Sequence, residues 1–165
     1  MNRNVFHKAA ILAGFGVLLS GPALALEVSR SALINHPAAA VWNLIGDFGG
    51  LDRWHPAVVK LELSGDGSAG STRVLTLPDG GTLNEKLLTR SPQNMSYSYS
   101  IESGVLPVAN YAAEISVRPA RNDPGQSIVE WSSRFDPVGV ENTAARDLIG
   151  GIYQAGFDSI VEKMK

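Results

Sequence analysis

Residues 95–101 read Met-Ser-Tyr-Ser-Tyr-Ser-Ile, an unbroken alternation of large apolar and small polar side chains. A helix would scatter that pattern around its circumference, whereas a strand places every apolar side chain on one face. The segment is therefore a half-buried strand, which needs paired neighbours and a layer against its apolar face. The same period recurs along the chain. Val59, Leu61 and Leu63 precede Ser64-Gly65-Asp66-Gly67. Arg73, Leu75 and Leu77 precede Pro78-Asp79-Gly80-Gly81, and Leu83, Glu85 and Leu87 follow it. Tyr111, Ala113, Ile115 and Val117 make another face, and Val129, Trp131 and Phe135 the last, with Leu26–Leu33 opening the series. Short Gly/Asp turns join antiparallel neighbours, so these segments predict a strongly curved antiparallel meander of seven strands.

Two other periods interrupt the strands. Ala38, Val41, Trp42 and Ile45 share a helical face after Pro37, whose fixed φ suits a helix start. Gly46, Gly49 and Gly50 break that helix, and Leu51 and Trp54 predict one more turn, ended by Pro56. At the C-terminus, Ala145, Leu148, Ile152, Ala155 and Ser159, with Ile149, Gly156 and Ile160 beside them, predict a helix of about 20 residues with one apolar face. Gly150, Gly151 and Gly156 inside it each cost about 1 kcal/mol relative to Ala. Close packing on the sheet accounts for them, and so does empty volume left between helix and sheet.

The first 25 residues stand apart. Arg3 and Lys8 precede a charge-free run from Ala9 to Leu19, then Gly21-Pro22 and Ala23-Leu24-Ala25. A basic start, an apolar core too short to span a bilayer and a small-x-small end predict a secretory signal peptide cut near Ala25. Residues 26–165 then form one domain, exported, periplasmic and without stable membrane insertion. The whole chain carries 16 acidic against 14 basic residues, and two of those bases fall in the leader. An acidic chain with scattered bases has no stripe to neutralise phosphates, which argues against nucleic acid as a partner. With no cysteine, disulfides, thiolate metal sites and cysteine nucleophiles are excluded.

Glu85 is the most informative charged residue, because alternation puts it on the inner face with Leu83 and Leu87. A buried carboxylate is costly unless paired, and Arg73 has the same inward parity on the preceding strand. Both parities require an odd hairpin loop. A three-residue Asp79-Gly80-Gly81 loop, with Gly81 left-handed, would set Leu75 opposite Glu85 and Arg73 diagonally across. The pair is either a structural ion pair or a polar anchor and general acid/base on a cavity wall. Tyr97, Tyr99 and Tyr111 are core aromatics by pattern, yet each hydroxyl needs a partner once buried. Together with Glu85 and Arg73 they would form an amphipathic pocket for an apolar ligand carrying one or two oxygens.

His55 has few accomplices. The other histidine beyond the leader, His36, lies beside Pro37, and no His-x-x-x-His spacing or thiol accompanies them, so no metal site is indicated. His55 is either a satisfied structural group or a ligand contact. Gly104-Val105-Leu106-Pro107 is an unusually apolar connection, suited to a lid, a docking patch or a packed corner.

The strings "DFGGLDRWHPAV", "LTLPDGGTLNEKLL", "YSYSI", "LPVANY" and "VEWSSRF", in that order before the final helix, resemble the START/Bet v 1-like (SRPBCC) superfamily, in its polyketide cyclase/dehydrase-like branch. The likeness runs from about residue 28 to 163. It implies an α+β helix-grip fold: a curved seven-stranded sheet around a long C-terminal helix, enclosing an apolar cavity without a cofactor. It also sets "RWHP" at the cavity entrance, with Trp54 turned toward it; Trp54 and Trp131 join the residues above as candidate ligand contacts. The export signal is similar to that of secreted members associated with periplasmic methanol oxidation. Family membership does not give the reaction. Three functions fit: an exported binding protein for a small apolar or aromatic molecule, a cyclase or dehydratase using Glu85, Tyr97 or His55 as acid/base, and an accessory protein docking on a periplasmic redox enzyme.

Overall fold

The computed structural model describes residues 25–165, so residues 1–24, and the expected leader with them, lie outside the described residues. The chain forms β1 (Leu26–Ile34), α1 (Ala38–Ile45), a short 3-10 helix (Phe48–Arg53), β2 (Lys60–Ser64) and β3 (Thr72–Thr76). It continues through β4 (Thr82–Ser91), β5 (Ser96–Gly104), β6 (Val108–Ala120), β7 (Asp123–Pro137) and α2 (Asn142–Lys163). One antiparallel sheet runs β1-β7-β6-β5-β4-β3-β2, the helix-grip arrangement expected. β1 and β2 are neighbours in sequence but lie at opposite edges, so α1 and the 3-10 helix carry the chain from one edge to the other.

Local chemistry ends each short helix. A Cβ at Gly46 would meet the Trp42 ring at 2.4 Å, which marks the close of α1. Asp47 then caps the 3-10 helix by accepting from the Gly49 N–H at 2.9 Å, and it also pairs with Arg53. The inner face of the sheet and the buried side of α2 form a single core that includes Leu87, Ile115, Val129, Phe135 and Ile149.

Three expectations change in detail. The β3–β4 loop is Pro78-Asp79-Gly80, one residue earlier than expected: the Gly81 carbonyl accepts from Leu77, and the Leu77 carbonyl accepts from Gly80. Gly80, at φ +84°, is the left-handed residue, and Asp79 accepts the Gly81 N–H. The shifted loop is still odd, so both parities survive, but Arg73 now lies directly opposite Glu85 and Leu75 opposite Leu83. Leu63, on the edge strand β2, and Val59, just before it, are exposed. The buried stripe of α2 is Ala145, Ile149, Tyr153, Gly156, Phe157 and Ile160, which leaves Leu148 41% exposed. Its apolar residues supply two overlapping stripes, and the one with the aromatics packs inward.

Two of the three glycines of α2 lie in close approach to other side chains. A Cβ on Gly156 would lie 3.0 Å from both the His55 and Trp131 rings, and one on Gly150 would meet Arg30 at 2.8 Å. Gly151 faces open space.

Candidate functional site

A cavity of about 250 Å³ lies between α2 and the inner face of the sheet. Leu75, Leu83 and Ile101 supply its strand side, Leu51 and Val58 the segment around the 3-10 helix, and Ile149 and Ile152 the helix side. Leu106, from the apolar β5–β6 connection, also lines it. Polar atoms enter through a few side chains: Glu85, His55, Trp131, Tyr99, Tyr111 and Tyr153.

Glu85 owes its placement to the ladder. Pairing of β4 with β5 slips between Asn84 and Glu85, a bulge of the kind that re-aims a side chain. Its partner Arg73 is 1% exposed. Arg73 Nε donates to Glu85 Oε2 at 2.7 Å, and Nη2 lies 2.6 Å from the same oxygen in an ion-pair contact. Nη1 donates to the Phe48 carbonyl at 2.6 Å, and the guanidinium lies over the Phe48 ring, 4.0 Å from its centroid. Burial pushes the Glu85 carboxyl above its ordinary value, and Arg73 pulls it part of the way back.

The hydroxyls form a second group. Trp131 Nε1 donates to Tyr99 Oη at 3.0 Å, and the Tyr111 and Tyr153 hydroxyls share a 2.6 Å hydrogen bond. Trp131 stacks on Tyr153 with centroids 4.5 Å apart and planes 12° from parallel. Asn110, at φ +52° beside a bulge in β6, turns the backbone just before Tyr111. Burial raises the Tyr99, Tyr111 and Tyr153 hydroxyls well above the ordinary tyrosine value, so at neutral pH they hydrogen-bond without ionising.

His55 is satisfied on both nitrogens. Nδ1 accepts the Ala57 N–H at 3.2 Å, which leaves Nε2–H to donate to the Ile152 carbonyl of α2 at 3.0 Å. Burial lowers its pKa, the Ile152 carbonyl works against that, and Arg73 adds to it.

Of the residues singled out in the sequence, His55, Glu85, Tyr99, Tyr111 and Trp131 meet at the cavity. Arg73 sits behind Glu85 and Tyr97 packs edge-on against Phe48, neither lining the cavity. Trp54, expected at the entrance, is 1% exposed and packs against Trp131 with centroids 5.8 Å apart. Tyr153 was not anticipated; the i, i+4 spacing of Ile149, Tyr153 and Phe157 is the signal that marks it. Among the described residues no three His, Cys, Asp or Glu side chains converge to hold a metal ion. No described helix is long and apolar enough to cross a membrane.

The family described as "Polyketide cyclase / dehydrase and lipid transport" matches residues 25–165. No curated protein is significantly similar. Among solved structures, an uncharacterized protein from Bacillus thuringiensis is 33% identical, with a TM-score of 0.78 over 84% of this chain and 98% of its own. The protein XoxI from Bacillus cereus is 34% identical, with a TM-score of 0.77 over 83% and 94% of the two chains. A protein from Thermobifida fusca is 30% identical at a TM-score of 0.72, over 83% and 91%.

Proposed function

Because the chain belongs to the polyketide cyclase / dehydrase and lipid transport family, we propose that it is a binding protein holding a small apolar or aromatic molecule between its sheet and its long helix. The observation that carries this is the cavity itself. Its volume of about 250 Å³ suits a compact molecule, and its walls are aliphatic and aromatic with few polar atoms. Chemistry would need a nucleophile or base with a free valence and a group to orient it. The His55 nitrogens are both engaged, and the tyrosine hydroxyls stay protonated. Mass spectrometry of material extracted from gently purified protein tests the function. A specific co-purifying small molecule is the expected result, and a reproducibly empty cavity that takes up no apolar probe would overturn it.

Glu85 favours a second reading, a cyclase or dehydratase without metal, since a carboxyl raised by burial on a cavity wall is suited to acid/base work. Loss of turnover of a polyketide-like substrate in Glu85→Gln, with an unchanged melting temperature, would replace binding by catalysis. Docking on an envelope protein is favoured by Val105, Val138 and Val140, exposed on two connections joined by a Val138 N–H to Pro107 carbonyl bond. Capture of one envelope protein by an empty preparation would support it over ligand binding. Export completes the proposal: the small-x-small end at Ala23-Leu24-Ala25 supports cleavage there, so N-terminal sequencing of the periplasmic protein should start at Leu26.

A further inference from the structure

The hydrogen-bonding valences around the cavity are unevenly filled. Both Arg73 contacts with Glu85 fall on Oε2, and Oε1 has no hydrogen-bond donor among the described residues. Glu85 lines the cavity while Arg73 does not, so of the pair it is the acidic side chain and not the guanidinium that borders an occupant. On the adjacent strand, Tyr99 Oη receives the Trp131 N–H, which leaves its own hydrogen to donate. Glu85 and Tyr99 share the inner face of the β4–β5 pair, opposite Ile101 and Leu87 respectively.

These valences sort ligands by head group. A carboxylate or phosphate brought against Oε1 would place like charges together in an apolar space. A cation would add a third charge to a pair that is already neutral, leaving one charge buried without a partner. A neutral ether or ketone accepts from Tyr99 but gives Oε1 nothing. A hydroxyl does both, donating to the carboxylate and accepting from the phenol.

We propose that the cavity selects a neutral hydroxyl-bearing molecule, a phenol or an alcohol with a compact apolar body, whose O–H donates to Glu85 Oε1. The proposal rests on the binding function above and adds the polarity of the head group to it.

Three probes with one body separate the two claims: 2-naphthol, 2-methoxynaphthalene and 2-naphthoate, titrated calorimetrically into the purified protein at neutral pH. The expected order is 2-naphthol tightest, by about tenfold or more over the ether because its extra hydrogen bond goes to a charged group, with 2-naphthoate weakest. In Glu85→Gln the advantage of naphthol over the ether should fall to about threefold or less, the amide bond being neutral. Should that variant fail to fold, Arg73→Met/Glu85→Met removes both charges together, and naphthol and ether should then bind alike. Equal binding of naphthol and ether to the unaltered protein would overturn the head-group inference and leave the binding function standing. A preference for naphthoate, or a naphthol preference that survives the double substitution, would also overturn it. Failure of all three probes would overturn the binding function as well.

Discussion

Glu85 and His55 are both buried polar side chains on the wall of one cavity, and they differ in what they leave over. The histidine spends both ring nitrogens inside the protein, one on the Ala57 N–H and one on the Ile152 carbonyl. It therefore joins the segment after the 3-10 helix to α2, and Gly156 provides the notch in which the ring fits. The carboxylate spends one oxygen on Arg73 and keeps the other free. A buried polar group with every valence filled is part of the architecture, whereas one with a valence left open on a cavity awaits something from outside. The comparison reverses the intuition that a histidine beside a proline in an aromatic setting is the reactive group.

Substitutions can break that contrast or sharpen it. The largest effect is expected from Arg73→Met, which leaves the Glu85 charge buried alone at a cost of about 3–5 kcal/mol. Arg73→Met/Glu85→Met should recover most of it. Denaturant midpoints would check both, and a single variant no worse than the double would mean that Glu85 is compensated elsewhere. Next comes His55→Leu, which strands the Ala57 N–H and removes the second bond to the Ile152 carbonyl at about 2 kcal/mol, read the same way.

The pH dependence gives a sharper version. The His55 pKa lies below its ordinary value of 6.5, so the unfolded chain takes up the proton first. Its contribution is complete above about pH 6.5 and is lost as the pH falls toward the folded value. Glu85 has the opposite sign: its pKa is raised, so its contribution is complete below the ordinary carboxyl value and declines as the pH rises through the folded one. His55→Gln should therefore flatten the loss of stability between about pH 7 and about pH 5.5. An unchanged slope would move that loss to another group.

The smallest effects come from two glycines in one helix. Gly156→Ala gains helix propensity, but its methyl meets His55, held by two hydrogen bonds, and Trp131, stacked on Tyr153. Neither ring can yield, and a net loss of about 1 kcal/mol is expected. Gly151→Ala meets nothing and should stabilise by up to about 1 kcal/mol. Thermal melts of the two variants should shift in opposite directions.

Much of this was legible in the chain. Strict alternation placed Tyr97, Tyr99, Arg73 and Glu85 on the inner face, because a strand has only two faces to choose between. Register was less legible: a three-residue loop preserves parity whether it centres on Asp79 or on Gly80, so the Arg73–Glu85 pairing was foreseeable while its directness was not. The face of α2 was ambiguous because Leu148, Ile149 and Ile152 are all apolar, and only packing distinguishes Ile149 at 1% exposure from Leu148 at 41%. Trp54 shows the remaining limit. A large aromatic beside a cavity either lines the hollow or fills the core behind it, and composition does not separate the two.

The pairing of β1 with β7 sets Leu26 opposite Phe135 and Ile34 opposite Ser127. Among the described residues β1 has no other strand beside it, so nearly the whole chain must be available before its ladder can form. Contacts so distant in sequence slow folding, because the long loop must close before any of them is gained. The first of these strands to emerge during synthesis is thus among the last to be seated, and a chain truncated before β7 lacks the strand it pairs with.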